Sequence, residues 1–339
     1  MLRKRATRIQ AGGCGAAAVS SPSSAGDTIR IGTRGSALAL AQTGVVAAAV
    51  AKASGSGVEI VTVATEGDHS TESLASLGGT GVFASALREA LAGGACDLVV
   101  HSLKDLPTAG YPGLRIGAVP RRADARDALC GRDGLTLEAL PAGSRIGTGS
   151  PRRAAQLRGW RPDLTVVDIR GNVDTRLRKV ESGELDAVVL AAAGLTRLGR
   201  LDAVTEFFEL GRWATAPGQG ALALEVREDH SAPFAAMLKT IDHPTTRLAV
   251  FAERAVLARL EAGCAAPIGA SAVIDGELLF LTATVYAPDG SSSLTSSHAL
   301  VLEGSAAERA GLPWELGDRV ADELLELGAA AIAPLGTAS

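Results

Sequence analysis

The side chains best able to do chemistry in this sequence stand in short polar loops. Asp105 lies in His101-Ser102-Leu103-Lys104-Asp105-Leu106-Pro107, and Arg34 and Ser36 lie in Thr33-Arg34-Gly35-Ser36. Arg152 and Arg153 follow Gly149-Ser150-Pro151, and Arg170 precedes Gly171-Asn172 with Arg176 close behind. Each arginine follows a strand-like run and precedes a helical pattern. A helix N-terminus offers unpaired backbone N–H groups and partial positive charge, and an adjacent guanidinium can clamp an anion bidentately. Taken singly, such an arginine is ordinarily a surface ion pair or a cap. With only five lysines the chain favours arginine everywhere, so the weight lies on the repetition at strand–helix junctions. The pattern points to a carboxylate-rich ligand.

Asp105 follows Asp97-Leu98-Val99-Val100-His101, and Leu106-Pro107 stops a helix from continuing. By itself it reads equally as a capping aspartate in a turn. Set among arginines it stays charged, and it could then stabilise a developing cation or relay a proton. His101 and Lys104 are lone groups to which spacing assigns no chemical step. The four cysteines, Cys14, Cys96, Cys130 and Cys264, are far apart, with neither metal-ligand spacing nor a disulfide framework. Cys264 stands in Glu261-Ala262-Gly263-Cys264-Ala265-Ala266-Pro267, a small-residue loop that leaves a thiol accessible. Thr215-Ala216-Pro217-Gly218-Gln219-Gly220 reads as a plain turn or a hinge crossing.

The elements that must position these groups alternate. Strand-like runs at Ile29–Gly32, Val58–Val63, Asp97–Val100, Arg145–Gly147, Leu164–Ile169 and Asp186–Leu190 are separated by helical patterns, which implies parallel sheets built from βαβ units. The alternation falls into two sets, before about residue 120 and after about 125. A third segment differs: a helix over Thr246–Leu260, two strands over Ser271–Tyr286 turning at Asp275-Gly276, and a helix over Trp314–Leu327. The expected fold class is α/β, two lobes plus a smaller C-terminal α+β domain.

Composition narrows the function. With 47% apolar and 21% charged residues the chain is globular in type. Its apolar stretches are expected to be interrupted before a membrane span is reached, so no membrane is predicted. Aromatics at 3% and a net charge of −4 argue against nucleic acid. Residues 1–27 carry four basic groups and one acid, leaving 29 basic and 36 acidic groups, a net of −7, on the rest. That N-terminal composition suits either an organelle transit peptide or a disordered bacterial extension.

From residue 28 onward the sequence resembles the porphobilinogen deaminase (hydroxymethylbilane synthase) family. The resemblance rests on Ile31–Gln42, Gly81-Val82-Phe83, His101–Pro107, Gly147–Arg153, Arg170–Leu177, Gly218-Gln219-Gly220 and Gly263–Gly269, in family order and spacing. It implies two periplasmic-binding-protein-like lobes, with domain 1 at 28–120 and 221–240 and domain 2 at 125–215. Domain 3, at 244–339, would carry the cofactor cysteine. It implies stepwise head-to-tail condensation of four porphobilinogen molecules with release of ammonia, then hydrolysis to hydroxymethylbilane. The implied cofactor is dipyrromethane, held by a thioether to Cys264, and the implied catalytic group is Asp105, which stabilises the cation left when the amino group departs. Lys104, Ser150, Arg152, Arg153, Arg170 and Arg176 would bind the cofactor's side chains. Arg34, Ser36, Gln42, Phe83 and Gln219 would bind substrate. No metal is implied, and a cytoplasmic monomer is expected, with a plastid or mitochondrion as the alternative if residues 1–27 are a transit peptide. Gly149 stands where a second serine is frequent in the family, and Thr80 where a lysine is. The rival class is a non-catalytic two-lobed anion-binding protein, which the arginine loops would serve equally well.

Overall fold

The computed structural model describes residues 28–64, 82–229, 232–262 and 266–335, the side chains of Val82 and Phe83 excepted. The described residues open with β1 (Ile29–Arg34), α1 (Ala37–Ser54), β2 (Val58–Val63), α2 (Val82–Ala92), β3 (Leu98–Ser102) and β4 (Leu114–Ala118). It then crosses to β5 (Asp127–Gly131), β6 (Arg145–Gly147), α3 (Pro151–Trp160), β7 (Thr165–Val167), α4 (Val173–Glu181), β8 (Ala187–Ala191), α5 (Ala192–Leu198) and β9 (Glu206–Phe207). It returns as β10 (Leu222–Arg227), followed by α6 (Ala235–Ile241). The first sheet has the order β2-β1-β3-β10-β4 and the second β7-β6-β8-β5-β9. The two orders are the same once β10 and β5 are recognised as each lobe's strand from across the hinge. This is a two-lobed α/β build in which the chain crosses between the lobes once in each direction.

The sheets are mixed, where alternation of strands and helices predicts parallel ones. β1 pairs in parallel with β2 and β3, and β6 with β7 and β8, but β10 and β5 run antiparallel to both neighbours. The reason is where these strands enter. β10 starts with Leu222 opposite Ser102 at the end of β3, and β5 starts with Asp127 opposite Ala191 at the end of β8. Each crossing therefore arrives at the carboxyl ends of the parallel strands, the edge where α/β sheets bind ligands. The hinge and the polar loops share one edge because of that entry.

Each lobe is held by apolar strands sandwiched between helices. β8, Ala-Val-Val-Leu-Ala, is a continuous buried run of the kind a doubly covered strand needs. α1 buries Val46, Ala47 and Val50 in the first lobe's core and packs on β1, β2, α5 and α6. Contrary to the expectation from interrupted apolar stretches, α1 is long and apolar enough to cross a membrane by length and composition, at 18 residues and a mean hydropathy of 1.4. Its alanines raise the mean despite Gln42 and Thr43, both of which are buried.

The third unit is built on α7 (Pro244–Arg259), a three-stranded antiparallel sheet of β11 (Ile268–Asp275), β12 (Leu278–Tyr286) and β13 (Ser293–Val301), then α8 (Ala306–Arg309), α9 (Leu312–Glu326) and α10 (Ala329–Ile332). Sequence reading finds β11, β12 and their turn but misses β13. Its Ser-Leu-Thr-Ser-Ser-His-Ala-Leu-Val lacks a branched run, and as an edge strand it buries only Ser296 fully. α7 and α9 cover one face of this sheet, and Val256, Leu281, Val285 and Val320 meet in the core between them.

Candidate active site

In the first lobe, β1 ends at Arg34 and Ser36 caps α1, its hydroxyl accepting from the Ala39 N–H at 3.3 Å. β3 ends at Ser102 and passes into a single 3₁₀ turn, Leu103–Asp105, ended by extended Leu106 (φ −85°, ψ 124°). Leu103 and Leu106 are buried, which turns the Asp105 carboxylate outward to an exposed position. Arg34, Ser36, Gln42, His101, Ser102 and Asp105 line one cavity. Gln42 is buried beneath it and exchanges hydrogen bonds with the Ser102 hydroxyl at 3.1 and 3.3 Å. His101 is buried behind, 3.1 Å from Glu225, which also accepts bidentately from Arg88.

The second lobe repeats the design. Ser150 caps α3 with Pro151 in its first turn, and Asn172 caps α4, accepting from the Thr175 N–H at 2.8 Å. Here, however, the guanidiniums turn inward. Arg152 and Arg153 are buried and hold the fully buried Asp127 carboxylate at 2.9 and 2.6 Å. Asp127 also accepts from Trp213 Nε1 and Gln219 Nε2, both at 2.8 Å. Arg152 further donates to the Ala214 carbonyl, and Arg153 to the Val189 carbonyl at 3.0 Å. Burial alone would raise the Asp127 carboxyl, but the two guanidiniums hold it far below the usual carboxylate range. Among the described residues, Arg153 Nε and Arg170 Nη2 are buried donors with no acceptor.

The two corners meet through the hinge. Lys104 Nζ is 3.5 Å from Gln219 Oε1, and Gln219 Nε2 donates to Asp127 and to the Ala125 carbonyl at 2.7 Å. The Lys104 ammonium is lowered from its ordinary value by burial above all; Asp105 opposes that shift and Arg153 adds to it. Arg176, whose Nε donates to the Gly171 carbonyl, is brought down to about 10 by burial and then by the nearby charges of Arg153 and Arg170. A cluster of cations that lower one another, with donors left over, is a site short of anions. Acetate and propionate groups of a dipyrromethane would supply them, so these residues fit that cofactor.

The third unit locks the hinge. The fully buried Glu253 of α7 accepts from Arg122 at 2.6 and 3.0 Å, from the Gly218 N–H at 2.7 Å and from the Ala272 N–H at 2.9 Å. Arg122 in turn donates to the Gln219 carbonyl at 2.7 Å. Gly220 has φ +83°, and a Cβ there would stand 2.7 Å from the Ala123 carbonyl oxygen, so only glycine lets the two crossings lie together. Sequence reading singles out neither Asp127 nor Glu253. An acid opening the apolar Asp127-Ala-Leu-Cys run, and another inside the Ala/Val/Leu-rich α7, are the available signals.

Gly149 also has a structural account. A Cβ there would lie 2.6 Å from the Ile169 carbonyl oxygen, so the loops carrying Ser150 and Arg170 approach too closely for a serine without backbone movement. Cys264 and Thr80 lie outside the described residues, as does the Phe83 side chain.

Two α/β lobes with an exposed carboxylate at one carboxyl edge and an arginine cluster with spare donors at the other define a two-lobed protein whose edges are suited to a polycarboxylate. Residues 29–233 match the family described as "Porphobilinogen deaminase, dipyromethane cofactor binding domain", and residues 247–326 match "Porphobilinogen deaminase, C-terminal domain". A porphobilinogen deaminase of Leifsonia xyli subsp. xyli is 65% identical over 311 residues, spanning 91% of this chain and 94% of its own. One from Micrococcus luteus is 52% identical over 333 residues, spanning 88% and 87%. Among solved structures, an ancestral cationic amino acid solute binding protein aligns over 63% of this chain and 88% of its own at a TM-score of 0.40 and 17% identity. The chain belongs to the porphobilinogen deaminase family, transferases that are hydroxymethylbilane synthases acting on porphobilinogen. It contains that family's dipyrromethane-cofactor domain. These relatives support the enzyme and lend nothing to the rival non-catalytic binder.

Proposed function

We propose that Asp105 is the catalytic carboxylate of this hydroxymethylbilane synthase and that Cys264 anchors dipyrromethane through a thioether. In each addition the aminomethyl C–N bond of porphobilinogen breaks and ammonia leaves. The freed methylene carbon bonds to the open α-carbon of the preceding pyrrole, which then loses its proton. Four units are joined and water releases hydroxymethylbilane. Bound dipyrromethane supplies the pyrrole that accepts the first unit. Asp105 accepts from pyrrole N–H groups and faces the positive charge that develops as ammonia departs, where a fixed anion lowers the barrier. Its exposure in a cavity with Arg34 and Ser36 is the observation that carries this reading.

Arg34, Ser36, Gln42, Phe83 and Gln219 are assigned to substrate. Lys104, Ser150, Arg170 and Arg176 are assigned to the cofactor's carboxylates, with Arg153 contributing its unpartnered Nε and Arg152 fixing Arg153 through the shared Asp127. The working domain limits are 28–120 with 221–240, 125–215, and 244–339. The protein is taken as a cytoplasmic monomer that engages neither membrane nor nucleic acid; bacterial biosynthetic relatives favour the cytoplasm over an organelle.

The test is Asp105→Asn in protein whose intact mass includes the two-pyrrole adduct. Porphobilinogen consumption is expected to fall roughly 10²–10³-fold, the range for loss of one charge-stabilising group, with the adduct and melting temperature kept. Wild-type turnover would remove Asp105 from the chemistry, and an adduct that survives Cys264→Ser would remove the thioether assignment.

A further inference from the structure

Asp105 is exposed, yet the backbone on either side of it is held from below by a residue of the third unit. Arg254, midway along α7 and 4% exposed, donates through Nη1 to the Leu103 and Leu106 carbonyls at 3.0 and 2.7 Å, and through Nη2 to the Pro107 carbonyl at 2.7 Å. These three carbonyls bracket Lys104 and Asp105. They lie at and just beyond the end of the 3₁₀ turn, the Leu103 carbonyl offering a second lone pair beside its bond to Leu106, and a guanidinium is the side chain able to reach several acceptors at once from a fixed plane. Val250, one turn earlier on α7, packs with Leu103 and Leu106, so charge and apolar contact grip the same loop. Within the first lobe, by contrast, the turn is fixed by the Leu103 N–H to the Ala221 carbonyl at 3.1 Å and by its own Leu106-to-Leu103 bond at 3.3 Å.

We infer that Arg254 is a positioning residue for Asp105, setting the carboxylate's height and direction through the loop carbonyls; this rests on the reading of Asp105 as the group that does the chemistry. α7 runs on toward Cys264, ten positions beyond Arg254. One helix therefore governs the loop that carries the carboxylate and leads directly into the segment that carries the thiol. A displacement of about 1 Å at a reacting group costs on the order of 10²-fold in rate. The effect belongs in kcat, because Arg254 is buried and its three hydrogen bonds to this loop all end on backbone carbonyls.

The experiment is a double-mutant cycle in cofactor-loaded enzyme, pairing Arg254→Gln with Asp105→Glu, whose carboxylate sits one methylene further out and leaves a residual rate to measure. Arg254→Gln alone is expected to lower kcat about 100-fold with KM within about 2-fold and the intact-mass adduct retained. In the Asp105→Glu background it should lower kcat by less than about 5-fold, because the carboxylate is already out of place. Arg254→Lys, which reaches fewer carbonyls, should fall between Gln and wild type. Wild-type kcat in a folded, loaded Arg254→Gln protein overturns the inference, and so does an undiminished 100-fold loss in the Asp105→Glu background. Should Arg254→Gln melt below the assay temperature, Arg254→Lys is read by the same two criteria. Full activity in Asp105→Glu and Asp105→Asn alike would instead defeat the reading of Asp105, a result visible in the single variants.

Discussion

The two lobes use the carboxyl edges of their sheets for opposite ends. In the first, Asp105 is turned out to a cavity beside Arg34 and its neighbours Leu103 and Leu106 are buried to hold it there. In the second, Arg152 and Arg153 are turned in and neutralise the buried Asp127, while Arg153 Nε and Arg170 Nη2 are left without acceptors. One corner presents a negative charge to solvent; the other is a scaffold of paired charges with an unfilled margin. On the reading proposed above, strand ends that face the same hinge thus divide into a reacting group and a receiving frame. What decides between them is whether an acid at the hinge, Asp127, stands within reach.

The largest effect comes from removing that acid. Asp127→Asn leaves two buried guanidiniums without a counter-charge, and breaking a buried pair this way costs about 3–5 kcal/mol. The same change at the exposed Asp105 should alter stability by less than about 0.5 kcal/mol. Denaturant melts of the two variants check the contrast, and equal losses would erase the distinction between the corners. The pH dependence has a defined sign. Asp127 is depressed in the folded state, so its contribution is complete above the unfolded carboxyl value of about 3.9 and is lost as pH falls below it. Wild type should therefore lose about 1.4 kcal/mol per pH unit from this group below pH ~4, and Asp127→Asn should lack that slope.

A smaller effect, in binding, separates the frame from its margin. Arg170 has a buried Nη2 with no acceptor and helps bring Arg176 down to about 10. Arg170→Leu should leave the melting temperature unchanged or raised, because it removes a desolvated donor and a like charge. It should also lose one charge-assisted contact to a carboxylate, about 1.5–3 kcal/mol, read as a roughly 10–100-fold rise in KM or as incomplete cofactor loading. A fall in stability matching that of Asp127→Asn would place Arg170 with the scaffold instead.

The sequence reveals the loops more readily than what faces them. Gly, Ser and Asn between an apolar run and a helical pattern mark Arg34, Arg152 and Arg170 as strand–helix junctions, because capping is a local matter of hydrogen-bond geometry. The direction of β5 and β10 is not local. Each is a short apolar run, and whether it lies parallel or antiparallel depends on a crossing that returns from the other lobe. The inward turn of Arg152 is hidden for the same reason, since its partner Asp127 stands 25 positions away with no pattern joining them. Glu253 and Arg254 are consecutive residues of one helix, yet they serve the hinge and the Asp105 loop respectively, a division that only the packing of α7 between the two discloses.

The smallest predicted effect concerns the margin's shape. At position 149 a Cβ would meet the Ile169 carbonyl oxygen at 2.6 Å and come within 3.5 Å of the Asp168 carboxylate. A serine there must push apart the loop ending in Ser150 and the one beginning at Arg170. Backbone on both sides resists, so Gly149→Ser should cost about 1–2 kcal/mol as overpacking. The two loops carry the cap of α3 and the unpaired Arg170, so a shift of one against the other moves Arg153 relative to Arg170 without touching Asp105. Cofactor loading should therefore slow or weaken by a few-fold, while kcat of the loaded enzyme stays near wild type. If kcat falls and loading does not, the tight approach of these loops serves the reacting corner, and the division of labour between the lobes would have to be redrawn across the hinge through Gln219.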